Sequence, residues 1–84
     1  MNDYYQYRVT VNGTQGQIVN ELPEGQWEQI AVVAEERGYQ AKLERRFVTD
    51  DSFLEMNGGA VPGYIRLPNG TVISGWEVQA SFNG

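Results

Sequence analysis

One stretch of this 84-residue chain places its apolar residues at helical spacing, and this limits the possible fold more than any other feature. The stretch follows Pro23, a residue that suits the first turn of a helix, and Gly38 is placed to end it in a left-handed conformation. The sequence therefore predicts a single amphipathic helix, entered through residues 21–24. Its apolar side consists of Trp27, Ile30, Ala31, Val33 and Ala34.

The segments on both sides of this helix alternate apolar and polar residues, which is the period of a half-buried strand. Tyr4–Val11 predicts a first strand, the glycines of residues 12–16 predict a turn, and residues 17–19 predict a short return strand. Residues 39–49 predict a strand directly after the helix, with Arg45 interrupting its apolar side. A bulge, a strand end or an exposed contact would each account for this arginine.

The last third of the chain predicts a β-hairpin. Residues 64–67 and 71–82 flank a Pro-Asn-Gly turn, in which proline sets φ and glycine accepts a positive φ. Ser74 and Gly75 interrupt the longer strand, which indicates a bulge or a close backbone approach. Residues 50–63 predict a connection with one helical turn around residues 52–56, capped by Asp51 or Ser52.

The predicted order is strand, strand, helix, strand, strand, strand, in one domain that covers residues 1–84. A single helix buries its apolar side most simply across one face of a mainly antiparallel sheet of about five strands, which gives an α+β domain. Trp27 and Trp76 are expected in the helix–sheet core, because each lies in the apolar phase of its element. The second face of the sheet is expected to stay open.

The chain contains no histidine and no cysteine, which removes most side chains that enzymes use for proton transfer, thiol chemistry and transition-metal binding. The acidic group Asp50, Asp51 and Glu55 does not have the spacing of an EF-hand calcium loop. The glycines of residues 58–63 lack the order of a phosphate-binding loop. We therefore expect no enzymatic activity, no cofactor and no metal site.

Eleven acidic residues against six lysines and arginines give a net charge of −5, which opposes direct binding to nucleic acid or to anionic lipid. No apolar stretch approaches the roughly 20 residues of a membrane span, and no secretory signal is visible, so we expect a cytoplasmic protein. Lys42, Arg45 and Arg46 form the one cationic cluster of the sequence. With tyrosines such as Tyr4, this cluster leaves a surface for single-stranded nucleic acid as a minor alternative.

Tyrosines lie on both sides of the first predicted strand, and a domain with one helix cannot bury all of them. Tyrosine and arginine are enriched at the energetic centres of protein–protein interfaces. We therefore expect a non-catalytic protein-binding module whose contact surface combines carboxylates with such anchoring residues. The expected contact residues are Tyr4, Glu35, Glu36, Arg45, Arg46, Asp50 and Asp51.

The size and acidity of the chain are similar to those of small inhibitors carried by phages and mobile elements, such as anti-CRISPR proteins, although no motif carries this likeness. A compact acidic domain competes with phosphates for the lysines and arginines of a nucleic-acid-handling protein. The expected partner is another protein, and a nucleic-acid-binding complex is the specific hypothesis. The alternative is a small structural or assembly subunit that self-associates through its sheet, for example as a homodimer.

Overall fold

The computed structural model describes residues 3–83, and the strands among them form one antiparallel sheet with two helices on it. The fold is therefore α+β, as predicted. In chain order the elements are β1 (Tyr4–Val11), β2 (Thr14–Gln15), α1 (Gln26–Arg37), β3 (Gln40–Asp50), α2 (Asp51–Met56), β4 (Tyr64–Arg66), β5 (Thr71–Ser74) and β6 (Glu77–Asn83).

The element order differs from the predicted one. A six-residue helix, α2, stands between β3 and β4, and it begins one residue earlier than expected because Asp50 is its cap and accepts a hydrogen bond from the Ser52 N–H at 2.9 Å. The return strand is β2, and of the predicted residues 17–19 only Val19 pairs with β1, through an isolated bridge to Tyr7. Asn12 and Gly13, with φ of 51° and 85°, make a two-residue turn that starts the return at once.

β3 is the central strand. One of its edges pairs with β1 from Tyr4 opposite Val48 to Val11 opposite Ala41, and the other edge pairs with β6 and then with β5. The predicted long last strand is divided in two at residues 75–76, so no ladder partner stands opposite this part of β3. The Phe47 N–H donates instead to the Ser74 hydroxyl at 2.8 Å, which satisfies the backbone group that the break exposes.

The first helix, α1, packs on β3 and β6. Ala34 of the helix and Ala41 and Leu43 of β3 are buried, and together they form the centre of this half of the core. Gly38 ends the helix with φ of 70°, and the next N–H, of Tyr39, donates to the Ala34 carbonyl at 2.8 Å. The predicted helix end is confirmed, whereas the predicted start at residues 21–24 is wrong, because α1 begins at Gln26 after Gly25, whose φ is 82°.

The second helix, α2, packs at the other end of β3. Phe53 of this helix lies between two other rings, with centroids 6.1 Å from Phe47 and 4.9 Å from Tyr64. Val72 and Thr49 are buried there. The apolar interior is therefore divided between the two helices, and the middle of the sheet on this side is covered by neither.

The prediction that both tryptophans lie in a helix–sheet core is wrong. Trp27 is half-buried on α1, and Trp76 occupies the break between β5 and β6. The guanidinium carbons of Arg8 and Arg46 lie 4.2 Å and 4.7 Å from the centroid of the Trp76 ring. Residues 75–76 are not part of a strand, so strand alternation does not determine the direction of the Trp76 side chain. The ring packs on the face opposite the helices.

Candidate functional site

The sheet face opposite α1, here called the open face, presents charged side chains from neighbouring strands. Strand register assigns its residues to six cross-strand rows, and three of the six cations of the chain fall in them. The rows are Asp50 and Thr71; Tyr4, Val48, Ile73 and Ile65; Gln6 and Arg46; Arg8, Glu44 and Val78; Thr10, Lys42 and Ser81; and Gln40 and Asn83.

Glu44 neutralises part of this charge. Glu44 is 6% exposed, and its carboxylate accepts hydrogen bonds from Arg8, at 3.0 Å from Nε and 3.5 Å from Nη2, while Lys42 Nζ lies 3.8 Å away. Arg46 Nε donates to the neutral amide oxygen of Gln6 at 2.8 Å. The rows therefore hold two carboxylates, Glu44 and the helix-capping Asp50, against three cations, and the open face carries a small net positive charge on an acidic chain.

The acidity of the chain is concentrated around α1. Residues 21–37 hold five of the eleven acidic residues and one of the six cationic residues. Glu28, Val32, Glu35 and Glu36 are spaced so that they share one side of the helix, and all four are exposed. These four residues are called the acidic helix face below. Three of the eleven carboxylates of the chain thus lie on one side of one helix.

An apolar groove borders the acidic helix face. Val32 and Val33 are 53% and 45% exposed, and Val33 continues into a groove of about 430 Å³ between the helix and the end of β1. Two neighbouring exposed valines beside such a groove form a continuous apolar strip rather than isolated surface residues. The groove is lined by Val11, Gln29, Ile30, Val33, Ala34, Arg37 and Tyr39.

The predicted acidic contact residues do not form one surface. Glu35 and Glu36 belong to the acidic helix face, whereas Asp50 and Asp51 begin α2 at the other end of β3. Asp50 caps that helix, and both carboxylate oxygens of Asp51 accept hydrogen bonds from Arg66. The hydrogen bonds from Arg66, aided by its charge, lower the pKa of Asp51, and the same pairing raises the pKa of Arg66. These two aspartates stabilise the fold locally.

The predicted cationic cluster is also divided, because Arg45 and Arg46 are neighbours in a strand and their side chains lie on opposite faces. Arg46 lies on the open face with Lys42 and Tyr4, which is 40% exposed. Arg45 lies on the helix side, with its guanidinium carbon 4.1 Å from the Tyr5 ring centroid. Its Nε is buried and has no hydrogen-bond partner within residues 3–83.

Sequence reasoning missed Arg8, Glu44 and Val32 as surface-determining residues. Arg8 and Glu44 meet only through the register of β1 with β3, which joins positions far apart in the chain. Val32 did carry a signal, since it is an apolar residue on the polar side of a predicted helix. An apolar residue out of phase in this way is left exposed by the helix, as Val32 is.

Within residues 3–83, no group of three or more acidic side chains lies close enough together to hold a cation. The helices of the same part of the chain are all too short or too polar to cross a bilayer. Comparison with protein-family models, with curated proteins and with solved structures gives no significant match. Function must therefore be inferred from the geometry and charge of the chain itself.

Proposed function

We propose that this chain is a non-catalytic protein-binding module that docks its acidic helix face on a basic surface of another protein. The observation that supports this most is the position of Val32, an exposed apolar residue between three exposed carboxylates, Glu28, Glu35 and Glu36. An apolar centre with a charged rim is the usual arrangement of a protein–protein contact. Burial of the two valines against the partner contributes affinity. The carboxylates orient the two proteins and speed their association.

The mode of binding follows from the shape of this surface. Val32 and Val33 are adjacent anchors, and the apolar groove beside Val33 accepts a side chain from the partner. A helix that presents such anchors binds in a shallow apolar trough of its partner. Lysines or arginines at the rim of that trough would meet the three carboxylates of the acidic helix face.

In its finer form, the proposal makes the partner a cytoplasmic nucleic-acid-handling protein. Three carboxylates along one helix side compete with phosphates for the same lysines and arginines, so binding would block the nucleic-acid site. The chain would then be a small inhibitor of phage or mobile-element origin, similar in size and charge to anti-CRISPR proteins. This finer form rests on charge and size.

The test is capture of partners from a nuclease-treated extract of the native host with three forms of the protein. The charge-reversed form carries Glu35→Lys and Glu36→Lys on the acidic helix face. The matched control carries Glu21→Lys and Glu24→Lys, which make the same charge change at exposed positions before α1. We expect a protein that wild type and control retain and the charge-reversed form loses, and we expect added DNA or RNA to displace it.

Equal retention of every captured protein by all three forms would contradict the role of the acidic helix face. A second outcome would instead assign the binding function to the open face. The purified chain would then retain a labelled single-stranded oligonucleotide at about 0.15 M salt, and Arg8→Ala with Arg46→Ala would abolish this retention. That outcome would make the chain a nucleic-acid binder.

A further inference from the structure

The open face and the acidic helix face lie on opposite sides of one sheet and carry opposite charge. α1 packs on the side of β3 that holds Ala41 and Leu43, and the alternation of the strand places Lys42, Glu44 and Arg46 on the other side. Both surfaces also expose apolar side chains. On the open face, Tyr4, Ile65 and Val78 are 40%, 63% and 55% exposed.

Two cations of the open face are available to an external carboxylate. Glu44 already accepts both hydrogen bonds from Arg8. Lys42 contacts the same carboxylate only at 3.8 Å and keeps 45% of its side chain exposed. Arg46 bonds to an uncharged amide, so no carboxylate of residues 3–83 neutralises it. Lys42 and Arg46 therefore form a pair of incompletely compensated positive charges on one strand.

The spacing of this pair matches the spacing of two glutamates on α1. Lys42 and Arg46 are four strand residues apart, which corresponds to about 13 Å. Glu28 and Glu36 are eight helical residues apart, which corresponds to about 12 Å. Val32 lies midway between the two glutamates, and the midpoint of the cation pair is Glu44, whose row partner on β6 is the exposed Val78. A helix laid along β3 on its β6 side therefore matches the two pairs of charges and brings Val32 beside Val78.

We propose that the open face binds the acidic helix face of a second copy of this chain, head to tail. The contact uses two different surfaces, so a pair keeps one open face unoccupied on one copy and one acidic helix face unoccupied on the other, and growth continues beyond the dimer. The repulsion between two copies of charge −5 is screened over about 8 Å at 0.15 M salt, so the opposite charges in contact decide the outcome. The inference uses the helix face of the proposed function, so a basic partner and a second copy compete for it.

The test uses two variants that each remove one surface at exposed positions. Glu28→Lys with Glu36→Lys removes the acidic helix face, and Lys42→Glu with Val78→Glu removes the charge and apolar contact of the open face. Circular dichroism is used to check that both variants fold. Sedimentation velocity then measures the average mass of each protein from about 10 μM to about 1 mM, the range in which contacts of roughly 4–7 kcal/mol become populated.

We expect the average mass of the wild type to rise more than twofold over this range, while each variant alone stays monomeric. An equimolar mixture of the two variants is expected to form a one-to-one dimer and nothing larger, because only one intact pair of surfaces remains. The control with Glu21→Lys and Glu24→Lys is expected to behave as the wild type. A wild type that stays monomeric, or one that stops at a dimer, would overturn this inference. Neither result would affect partner capture by the acidic helix face, so failure of the two proposals is distinguishable.

Discussion

Replacement of Glu44 by glutamine tests the electrostatic arrangement of the open face. The substitution keeps the shape of the side chain and removes its charge, which leaves Arg8 without a carboxylate. Removal of one partner from a fully buried ion pair costs about 3–5 kcal/mol, whereas a fully exposed pair contributes about 0–1 kcal/mol. Glu44 is 6% exposed, but the Arg8 side chain keeps 19% of its surface in water and its contact with Trp76. We therefore expect Glu44→Gln to lower the free energy of unfolding by about 2–3 kcal/mol.

A double-mutant cycle separates the ion pair from other effects of the substitution. Glu44→Gln, Arg8→Gln and the double variant are compared by urea denaturation, and we expect a coupling free energy of about 2 kcal/mol. Asp51→Asn is the matched control, because it makes the same change in an Arg–carboxylate pair that is exposed, and its effect should be much smaller. A coupling energy of zero, or equal losses for Glu44→Gln and Asp51→Asn, would refute the assignment of Glu44 as the buried counter-ion of the open face.

Two further outcomes follow from contacts of the fold. Trp76→Ala should lower the free energy of unfolding by about 2–4 kcal/mol, because the ring is half-buried and contacts two guanidinium groups. In an Arg46→Gln background the loss should be about 1 kcal/mol smaller. Equal losses in both backgrounds would contradict the Arg46 contact. Arg66 lowers the pKa of Asp51, so this pair stabilises the fold above the ordinary Asp pKa of 3.8, and the contribution is lost as the pH falls through the lowered folded-state value. Arg66→Gln should therefore remove part of the acid sensitivity seen in melting curves below about pH 5, and an unchanged pH profile would contradict it.

The sequence predicts the elements whose signals are local. The bounds of β1 follow from eight alternating residues, and the end of α1 follows from Gly38, whose positive φ stops a helix wherever it occurs. The α+β class follows from the single long amphipathic helix among strands. These features require no knowledge of which strand lies beside which.

The features that were missed depend on tertiary pairing. The alternation around Trp76 predicts it in the core. Ser74 and Gly75 do indicate an interruption, but the hydroxyl bond to β3 that stabilises the break depends on strand pairing. Glu44 and Arg8 are separated along the chain and meet only through strand register. The division of Arg45 from Arg46 was available from alternation alone, whereas their aromatic partners were not.

The position of β3 between non-local neighbours has a kinetic consequence. Its pairs with β1 join residues 30 to 44 positions apart, and its pairs with β6 join residues 32 to 43 positions apart. Long loops must therefore close on both edges before the central strand gains its stabilising contacts, which places folding in the slow range for a domain of this size, on the order of milliseconds to seconds. Until β6 arrives, the other edge of β3 is exposed to other chains, so aggregation during refolding is expected to depend more on the last seven-residue strand than on either helix.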